Sequence, residues 1–451
     1  MNDVVPVPKP GRNKAHIDSY RPICLQPIIS KLFEKIVNHS LRNHLRGIIH
    51  DQQHGFMSSR STATNLLCYK DFITSALDEN SQVHSIYTDF EKAFDSISHE
   101  YLILKLENQF GIVGNNLKWF HSYLQERYQR VVLNGSESHW ILASSGVPQG
   151  SILGSSLFIM YVDDVTSCLQ KSESLLFADD FKIFKIIKSL SDCIDLQGDL
   201  MNFRNWCIKW KLSLNIQKCC FVNFSLKRKF DISYDYHFDG NVIKKVDEIK
   251  DLGVYFTSNL CFNRHISFIV TKSFRMLGFI KRVTHSFKDI CVLKVLYNSY
   301  VRSNLDYCSQ VWSPNAKCAV NKIERIQKAF VKFLCFHTRI MYKSDNYAVL
   351  CHHFRLTTLA ERREISDILL FHKIVNSAIS CNYLTSAVCL KVPGRITRNT
   401  GIFTSKRKSR LLLRKHAFFP RTFLSVNKFK EIDVFSASLS TVKRFLIKHF
   451  T

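Results

Sequence analysis

The spacing of apolar residues predicts alternating helices and strands over the first half of the chain. Apolar residues recur at helical intervals from Ile28 to Leu45. The segment 83–90 is typical of a buried strand that ends on an acidic residue. Two short apolar runs around a polar tip at 175–184 predict a hairpin. Further helices are expected at 102–106, 117–124, 151–165 and 193–211, a hairpin at 130–142, and a strand at 220–224.

The two ends of the chain depart from this alternation. The first twenty residues are polar and contain three prolines, so we expect a loop there. Beyond about residue 258 the periodicity is almost entirely helical, and the sequence becomes increasingly basic. The pattern therefore predicts a mixed first part followed by a helical, basic second part.

Charge narrows the class of partner. The chain has 451 residues, and its 46% hydrophobic content excludes a largely disordered protein. Its formal net charge of +26 favours a polyanionic partner, nucleic acid first. It has no apolar run long enough to span a membrane and no secretory signal. Its 15 cysteines include no Cys-x-x-Cys pair, and we expect them to be reduced core residues in a reducing compartment. We therefore expect an intracellular protein with no membrane partner.

The segment 391–451 carries the strongest local charge. Lys and Arg greatly outnumber its two acidic residues, Glu431 and Asp433. Four phenylalanines, Phe418, Phe419, Phe423 and Phe429, are interleaved with the basic residues. A one-signed stretch with aromatic side chains favours a nucleic-acid surface. A basic tail that only improves solubility is the alternative.

Acidic residues at strand ends carry the candidate chemistry. Asp179 and Asp180 lie at the predicted tip of the 175–184 hairpin, and Asp89 lies at the end of the strand predicted at 83–90. Burying negative charge there costs several kcal/mol unless a cation compensates it. Three carboxylates at strand ends are what a two-metal phosphoryl-transfer centre requires. An acidic pair in an ordinary turn is the alternative for Asp179 and Asp180.

Five sequence blocks follow one another in the order found in reverse transcriptases of non-LTR retrotransposons of the jockey and chicken-repeat kind, which the chain therefore resembles. The blocks are 19–23 (SYRPI), 89–95 (DFEKAFD), 146–151 (GVPQGS), 177–180 (FADD) and 214–218 (LNIQK). Full-length elements of this kind carry an endonuclease ahead of the polymerase. The resemblance thus suggests a truncated copy that begins inside the fingers.

The resemblance implies an α+β fold shaped like a right hand. The palm would be a ferredoxin-like sheet bearing the aspartates, followed by a helical thumb and a basic C-terminal region. The domains expected from it are fingers at 1–75, palm with the remaining fingers elements at 76–257, thumb at 258–340 and a basic, mostly helical region at 341–451.

Matching the blocks assigns metal and acid–base roles. Asp89 and Asp179 would hold two Mg²⁺ ions, for which Mn²⁺ is an expected substitute, with the backbone carbonyl of Phe90 completing one shell. Asp180 would be an accessory carboxylate. Lys218 would protonate the pyrophosphate as general acid, with a charged loop lysine as the alternative.

The same matching assigns the nucleotide contacts. Lys9 and Arg21 resemble the pair that grips the triphosphate, and Gln149 and Gly150 would line the sugar and base. Phe94 would lie under the sugar and exclude a 2′-hydroxyl. The alternatives are a disordered terminal lysine for Lys9, an amide closing a loop for Gln149, and a core phenylalanine for Phe94.

The tetrad at 161–164 (YVDD) also looks like a polymerase motif. Its place directly after the 151–158 segment makes it the end of a helix, so we do not assign Asp163 and Asp164 to the active site. The resemblance as a whole implies RNA-directed DNA polymerase activity on an RNA template, a DNA primer and dNTPs, in a ribonucleoprotein of the nucleus and cytoplasm. The alternatives are an inactive remnant that only binds RNA and a DNA-templated repair polymerase.

Overall fold

The computed structural model describes residues 2–226, 231–287, 289–391, 401–404, 409–429, 431 and 433–450. These residues form two compact units. The first contains Met1–Ser61, His84–Phe221 and Ile232–Lys245, and the second contains Thr62–Val83, Val222–Asp231 and Val246–Thr451. Several basic residues of the C-terminal segment, namely Arg395, Arg398, Lys406, Arg407, Lys408 and Lys430, lie outside the described residues.

The helices and strands predicted for the first half of the chain are all present. In chain order the elements are β1 (Asn2–Pro8), β2 (Tyr20–Leu25), α1 (Ile28–His44), α2 (Thr62–Asp78), β3 (Gln82–Asp89), α3 (His99–Asn108), α4 (Gly114–Leu124), β4 (Tyr128–Leu133), β5 (Ser136–Glu137), β6 (Ile141–Leu142), α5 (Ile152–Val162), β7 (Glu173–Phe177), β8 (Asp180–Ile187), α6 (Leu190–Lys209), β9 (Cys220–Phe224), β10 (His237–Phe238), β11 (Asn241–Val242) and β12 (Lys244–Lys245). The helix expected over 151–165 ends at Val162 and continues as a 3₁₀ helix over Asp163–Cys168.

The rest of the described chain is mostly helical, as predicted. It contains β13 (Glu248–Asp251), β14 (Val254–Thr257), α7 (Asn263–Val283), α8 (Ile290–Leu296), a π-helix (Tyr297–Arg302), α9 (Ser303–Asp306), α10 (Ser309–Trp312), α11 (Lys317–Thr338), α12 (Tyr347–His353), α13 (Leu359–Val375), α14 (Asn382–Ser386), α15 (Leu412–Lys415), α16 (Phe418–Lys428) and α17 (Leu439–Phe450). Short 3₁₀ helices occur at Ile17–Ser19 and Ser344–Asn346.

The expectation of a loop over the first twenty residues is wrong for Asn2–Pro8, which is strand β1. It pairs antiparallel with β2 from Asp3 to Pro8 and parallel with β4 over Asn2, Asp3 and Val4. Prolines lack the amide proton that a sheet needs. Pro6 and Pro8 are tolerated because both lie beyond the end of the β4 pairing. Partner strands distant in sequence therefore decide the conformation of this segment.

The strands that carry the acidic residues form one sheet with the order β12–β9–β3–β8–β7. Along the chain β3, α5, β7, β8, α6 and β9 follow one another, with α3, α4 and the β4–β6 strands inserted after β3. The first, second, third and fourth strands of this βαββαβ series thus lie in the spatial order 4-1-3-2. This is the ferredoxin-like arrangement, and it confirms the α+β fold class.

Helix α5 is buried on all sides within the first unit. Leu153, Leu157, Phe158 and Val162 are fully buried, and α5 packs against α1 and α3. A helix that is apolar around its whole circumference belongs in a protein interior. It begins at the cap Ser151, whose side chain accepts a hydrogen bond from the Gly154 amide. Its first turn thereby lies beside the loop of Gln149 and Gly150.

Phenylalanines of the basic C-terminal segment are core residues of the second unit. Phe418, Phe419 and Phe423 are at most 4% exposed, and the Phe423 ring packs against those of Phe371 and Phe403. These three rings are therefore not exposed on a nucleic-acid surface, contrary to the expectation for this segment. They lie on the apolar face of the amphipathic helix α16, which packs against α13.

Part of the segment's positive charge is also used internally. Arg414 forms an ion pair with Asp71, and Arg421 forms one with Asp367.

Among the described residues, no helix combines the length and the apolar character that a membrane crossing needs.

Candidate active site

Two predicted metal ligands lie at neighbouring strand ends. Asp89 is the last residue of β3, and Asp179 lies in the two-residue turn that the Phe177–Asp180 pair closes between β7 and β8. Strands β3 and β8 are neighbours in the sheet. The hydroxyl of Thr88 donates a 3.0 Å hydrogen bond to the Phe181 carbonyl and joins the two strands beside these carboxylates. The sheet therefore brings both carboxylates to the same edge.

The negative charges of Asp89 and Asp179 lie close enough to interact. Burial, and then the negative charge of Asp89, raise the pKa of Asp179. Asp180, the first residue of β8, is exposed. Two carboxylates that repel each other at a partly buried site form an oxygen donor set suited to a hard divalent cation. The residues present thus fit the metal that the sequence predicted.

A loop after α6 holds Lys218 against Asp89. The Asn215 amide donates to the Asp89 carbonyl at 2.8 Å, and Phe90 forms an antiparallel bridge with Leu214. This pairing lets the Lys218 ammonium form an ion pair with the Asp89 carboxylate. The Lys218 side chain remains 47% exposed. The Phe90 side chain, in contrast, is buried and packs edge-on against Phe203.

The predicted triphosphate contacts come from the β1–β2 hairpin. Arg21 of β2 pairs with Val7, and the Lys9 amide donates to the Ser19 carbonyl just beyond β1. Burial lowers the pKa of Lys9, and the positive charges of Arg12, Lys218 and Arg21 add to the effect. Lys9, Arg21 and Lys218 therefore share one electropositive region with Asp89 and Asp179.

Gln149 and Gly150 lie in the loop before α5. The Gln149 side-chain amide donates to both carboxylate oxygens of Asp95, at 3.1 and 3.0 Å. Its backbone carbonyl accepts a 2.7 Å hydrogen bond from the Cys24 amide of β2. Gly150 has φ +104, and a Cβ there would lie 3.2 Å from the Cys24 carbonyl oxygen. The loop is thus held by β2 through the Gln149 carbonyl and by Asp95 through the Gln149 side-chain amide.

The Phe94 side chain is half-buried in the first unit. Its ring stacks on Phe158 of α5, with centroids 4.4 Å apart, and meets Phe56 edge to face at 6.4 Å. Phe94 follows Asp89 by five residues and precedes the Asp95 that Gln149 holds. The ring therefore joins the hydrophobic core to the site and is not enclosed by the core.

The 161–164 tetrad lies elsewhere. Asp163 accepts hydrogen bonds from the amide and the ring of His50, and Asp164 forms an ion pair with the fully buried side chain of Lys105. Trp206 also donates to Asp164, at 3.1 Å. Both carboxylates follow the end of α5, as their place in the sequence predicted. Asp164 joins α3 to α6, and Asp163 holds the loop of His50.

Sequence analysis missed the support beneath the Asp179 turn. The side-chain oxygen of Gln53 accepts hydrogen bonds from the Gly55 amide at 2.8 Å and from the Ala178 amide at 3.1 Å. The only available signal was the sequence 53–56 (QHGF), in which glycine permits a close approach. The pattern did not indicate which backbone approaches that glycine.

Comparison with known proteins shows the family to which the chain belongs. The family model described as "Reverse transcriptase (RNA-dependent DNA polymerase)" matches residues 7–280. The RNA-directed DNA polymerase from mobile element jockey of Drosophila funebris is 26% identical over 346 residues, which cover 73% of this chain and 37% of that protein. The probable RNA-directed DNA polymerase from transposon X-element of Drosophila melanogaster is 27% identical over 345 residues, covering 72% and 36%.

The chain thus spans a little over a third of the length of these curated relatives. A solved structure of apo telomerase from Candida tropicalis matches with a TM-score of 0.45 and 14% identity, over 80% of this chain and 62% of that one. The family model covers more than half of the chain and includes the five blocks from 19–23 to 214–218. The chain belongs to the reverse transcriptase family, and its relatives are the polymerases of jockey-type non-LTR retrotransposons.

Proposed function

We propose that this chain is an RNA-directed DNA polymerase that adds dNTPs to a primer 3′-hydroxyl on an RNA template. The observation that supports this most is the meeting of Asp89 and Asp179 at adjacent strand ends, with Lys9, Arg21 and Lys218 in the same electrostatic neighbourhood. Carboxylates supply metal ligands and the basic groups supply phosphate contacts, which together suit nucleotidyl transfer.

Reverse transcriptases generally use divalent metal ions. We assign two Mg²⁺ ions, replaceable by Mn²⁺, to Asp89 and Asp179, with Asp180 as accessory carboxylate and the Phe90 carbonyl as a further ligand. When bound, the metal lowers the pKa of the primer hydroxyl and stabilises the charge that develops on the phosphates. The raised pKa of Asp179 supports this assignment, because burial and the charge of Asp89 disfavour its ionised form. A bound metal cation would stabilise that form.

The basic side chains act on the triphosphate. Arg21 suits bidentate contact with phosphate oxygens, and Lys9 adds a point charge beside it. Lys218 pairs with Asp89 in the free protein, so its ammonium is held within the site. We propose that Lys218 turns from Asp89 to the triphosphate and protonates the departing pyrophosphate.

The sugar and base are received by the loop before α5 and by Phe94. Gly150 lets the backbone approach the nucleotide, while Gln149 contributes by holding Asp95 at the edge of the site. The Phe94 ring lies under the sugar and leaves no room for a 2′-hydroxyl. Its stacking on Phe158 supports this steric role, because a supported ring resists displacement.

The relatives are named as RNA-directed DNA polymerases of mobile elements, and from this we propose an RNA template and a DNA primer as partners. Retention of Asp89, Asp179 and Asp180 favours an active enzyme over an RNA-binding remnant. The finger, palm and thumb boundaries and the nuclear and cytoplasmic location remain predictions.

Primer extension on an RNA template with Mg²⁺ tests the proposal. The wild type should extend the primer, whereas Asp179→Ala should reduce the rate at least about 10³-fold, since it removes a shared metal ligand. The matched control is Asp163→Asn, which retains a side chain of the same size beside His50 and should remain active. An inactive wild type would favour the RNA-binding remnant, and extension on DNA templates alone would favour a repair polymerase.

A further inference from the structure

The residues just before α2 extend the palm sheet beneath the Asp179 turn. Gln53 forms a parallel bridge with Leu176 of β7. The Leu176 amide donates to the Gln52 carbonyl at 2.9 Å, and the His54 amide donates to the Leu176 carbonyl at 2.9 Å. Residues 52–54 are therefore fixed along the outer edge of β7, one residue before the turn begins.

The Gln53 side chain closes this contact from inside. It is 1% exposed, and its oxygen accepts from the Ala178 amide in the turn and from the Gly55 amide in its own loop. A single acceptor thus joins the loop to the residue directly before Asp179. Among the described residues, the nitrogen of the same amide has no hydrogen-bond partner. The oxygen is therefore the atom through which this side chain acts.

The turn needs this support because its backbone is strained. Ala178 has φ +58, a conformation that costs a residue with a Cβ roughly 1 kcal/mol. The loop also approaches the turn too closely for any side chain at Gly55, where a Cβ would lie 2.2 Å from the Ala178 nitrogen. A turn with unfavourable backbone geometry keeps a single conformation only when its surroundings hold it.

We propose that Gln53 is a positioning residue that fixes the Ala178–Asp179 turn and thereby aims the Asp179 carboxylate. It acts through the Ala178 amide and contacts no substrate. This inference rests on the proposed function for its effect on catalysis, but the hydrogen bond itself is a structural statement. Loss of the acceptor should therefore slow turnover without weakening nucleotide binding.

The test compares Gln53→Met with Gln52→Met. Methionine has nearly the shape of glutamine but no acceptor, and Gln52 makes its contact to β7 through its backbone carbonyl. Gln53→Met should lower kcat at least about 10-fold, the effect expected when a catalytic group is misplaced, with KM for dNTP within about twofold. Gln52→Met should leave both constants unchanged.

Hydrogen exchange provides a readout that needs no activity. Exchange of the Ala178 amide, followed by mass spectrometry on a peptide covering 175–181, should speed up in Gln53→Met and remain slow in Gln52→Met. Gln53→Glu keeps an acceptor oxygen at this position and should protect the Ala178 amide even if Gln53→Met is less stable. The comparison is made below the melting temperature of each variant.

The outcomes separate the two proposals. Unchanged Ala178 exchange in a folded Gln53→Met protein would overturn the positioning role, whatever the activity. Faster exchange with unchanged kcat in an active enzyme would also overturn it. A wild type without extension activity would refute the proposed function instead, and the exchange result would still decide whether Gln53 holds the turn.

Discussion

The buried acidic residues of the two units differ in whether a basic side chain pairs with them. In the second unit, which is mostly helical and is called the helical unit below, Arg421 donates two hydrogen bonds to Asp367 of α13. Their distances to the two carboxylate oxygens are 2.7 and 3.0 Å. In the palm sheet, Asp179 is also partly buried, yet no ion pair within 4 Å joins it to a basic residue of the described chain. Both carboxylates have a pKa raised by burial.

The same contrast holds for other carboxylates. In the helical unit Asp306 pairs with Arg362 and Asp71 with Arg414. The rigid fork of an arginine can satisfy both carboxylate oxygens, as that of Arg421 does at Asp367, and such a pair is closed to other cations. Asp89 is paired instead with Lys218, a flexible point charge that can leave. Structural carboxylates are thus neutralised by the fold, whereas those of the site remain available to a ligand.

The largest effect should follow from breaking a closed pair. Asp367→Asn leaves the Arg421 guanidinium without a counter-charge in a buried place, which should lower the free energy of unfolding by about 3 kcal/mol. Urea unfolding followed by circular dichroism measures the loss. Asp180→Asn, at an exposed carboxylate of the site, is the control and should change stability by less than about 0.5 kcal/mol. Equal losses in the two variants would contradict the contrast.

The open pair should matter for rate and hardly for folding. Lys218→Met removes the proposed general acid and should lower kcat about 100-fold on an RNA template. The melting temperature should stay within a few degrees, because an exposed lysine pair adds little stability. Lys211→Met, at an exposed lysine of the same loop, is the matched control. A normal rate in Lys218→Met would leave this lysine as a surface charge only.

Aromatic side chains sharpen the comparison. Phe371 of the helical unit is fully buried among other rings, whereas Phe94 is half-buried beside the site. Phe94→Val should raise the ratio of kcat/KM for rNTP over dNTP about 10- to 100-fold by removing a steric clash with the 2′-hydroxyl. Phe371→Val should destabilise the protein without changing that ratio. If Phe94→Val leaves the ratio unchanged, Phe94 is packing only.

The smallest effect is a dependence of stability on pH that comes from a buried lysine of the helical unit. Lys70 is buried near Arg421, Asp367, Asp71 and Arg414, and burial lowers its pKa from 10.5 to about 7. Between pH 7 and pH 10.5 the unfolded chain therefore binds more protons than the folded one, so stability should rise with pH in this window. From pH 7 to pH 9 the expected gain is roughly 1–2 kcal/mol.

Urea midpoints at the two pH values measure this gain. Lys70→Met should lose it, while Lys415→Met, at an exposed lysine of α15, should retain it. If the wild type and Lys70→Met showed the same pH dependence, the lysine would be charged in the folded protein at both values.

Much of the first unit could be predicted from apolar periodicity alone. The bounds of α1, β3 and the β7–β8 hairpin agree with the pattern within two or three residues. The strands bury apolar residues of their own sequence, whereas most of the apolar face of α1 is exposed. The β1 strand could not be predicted, since its backbone hydrogen bonds come from β2 and β4. The burial of Phe418, Phe419 and Phe423 was missed because a basic sequence conceals which face of α16 packs inward.

The candidate site divides in the same way. The sequence by itself determined the candidates for the proposed chemistry, because Asp89, Asp179 and Asp180 lie at the ends of predicted strands and stand in the order of a known family. Only the tertiary structure decided their partners: Lys218 on Asp89, Gln149 on Asp95 and Gln53 under the Ala178 turn. These contacts join residues 54 to 129 positions apart in the chain. A local pattern encodes burial and turn geometry, whereas contacts over such distances depend on how the strands are ordered in the folded sheet.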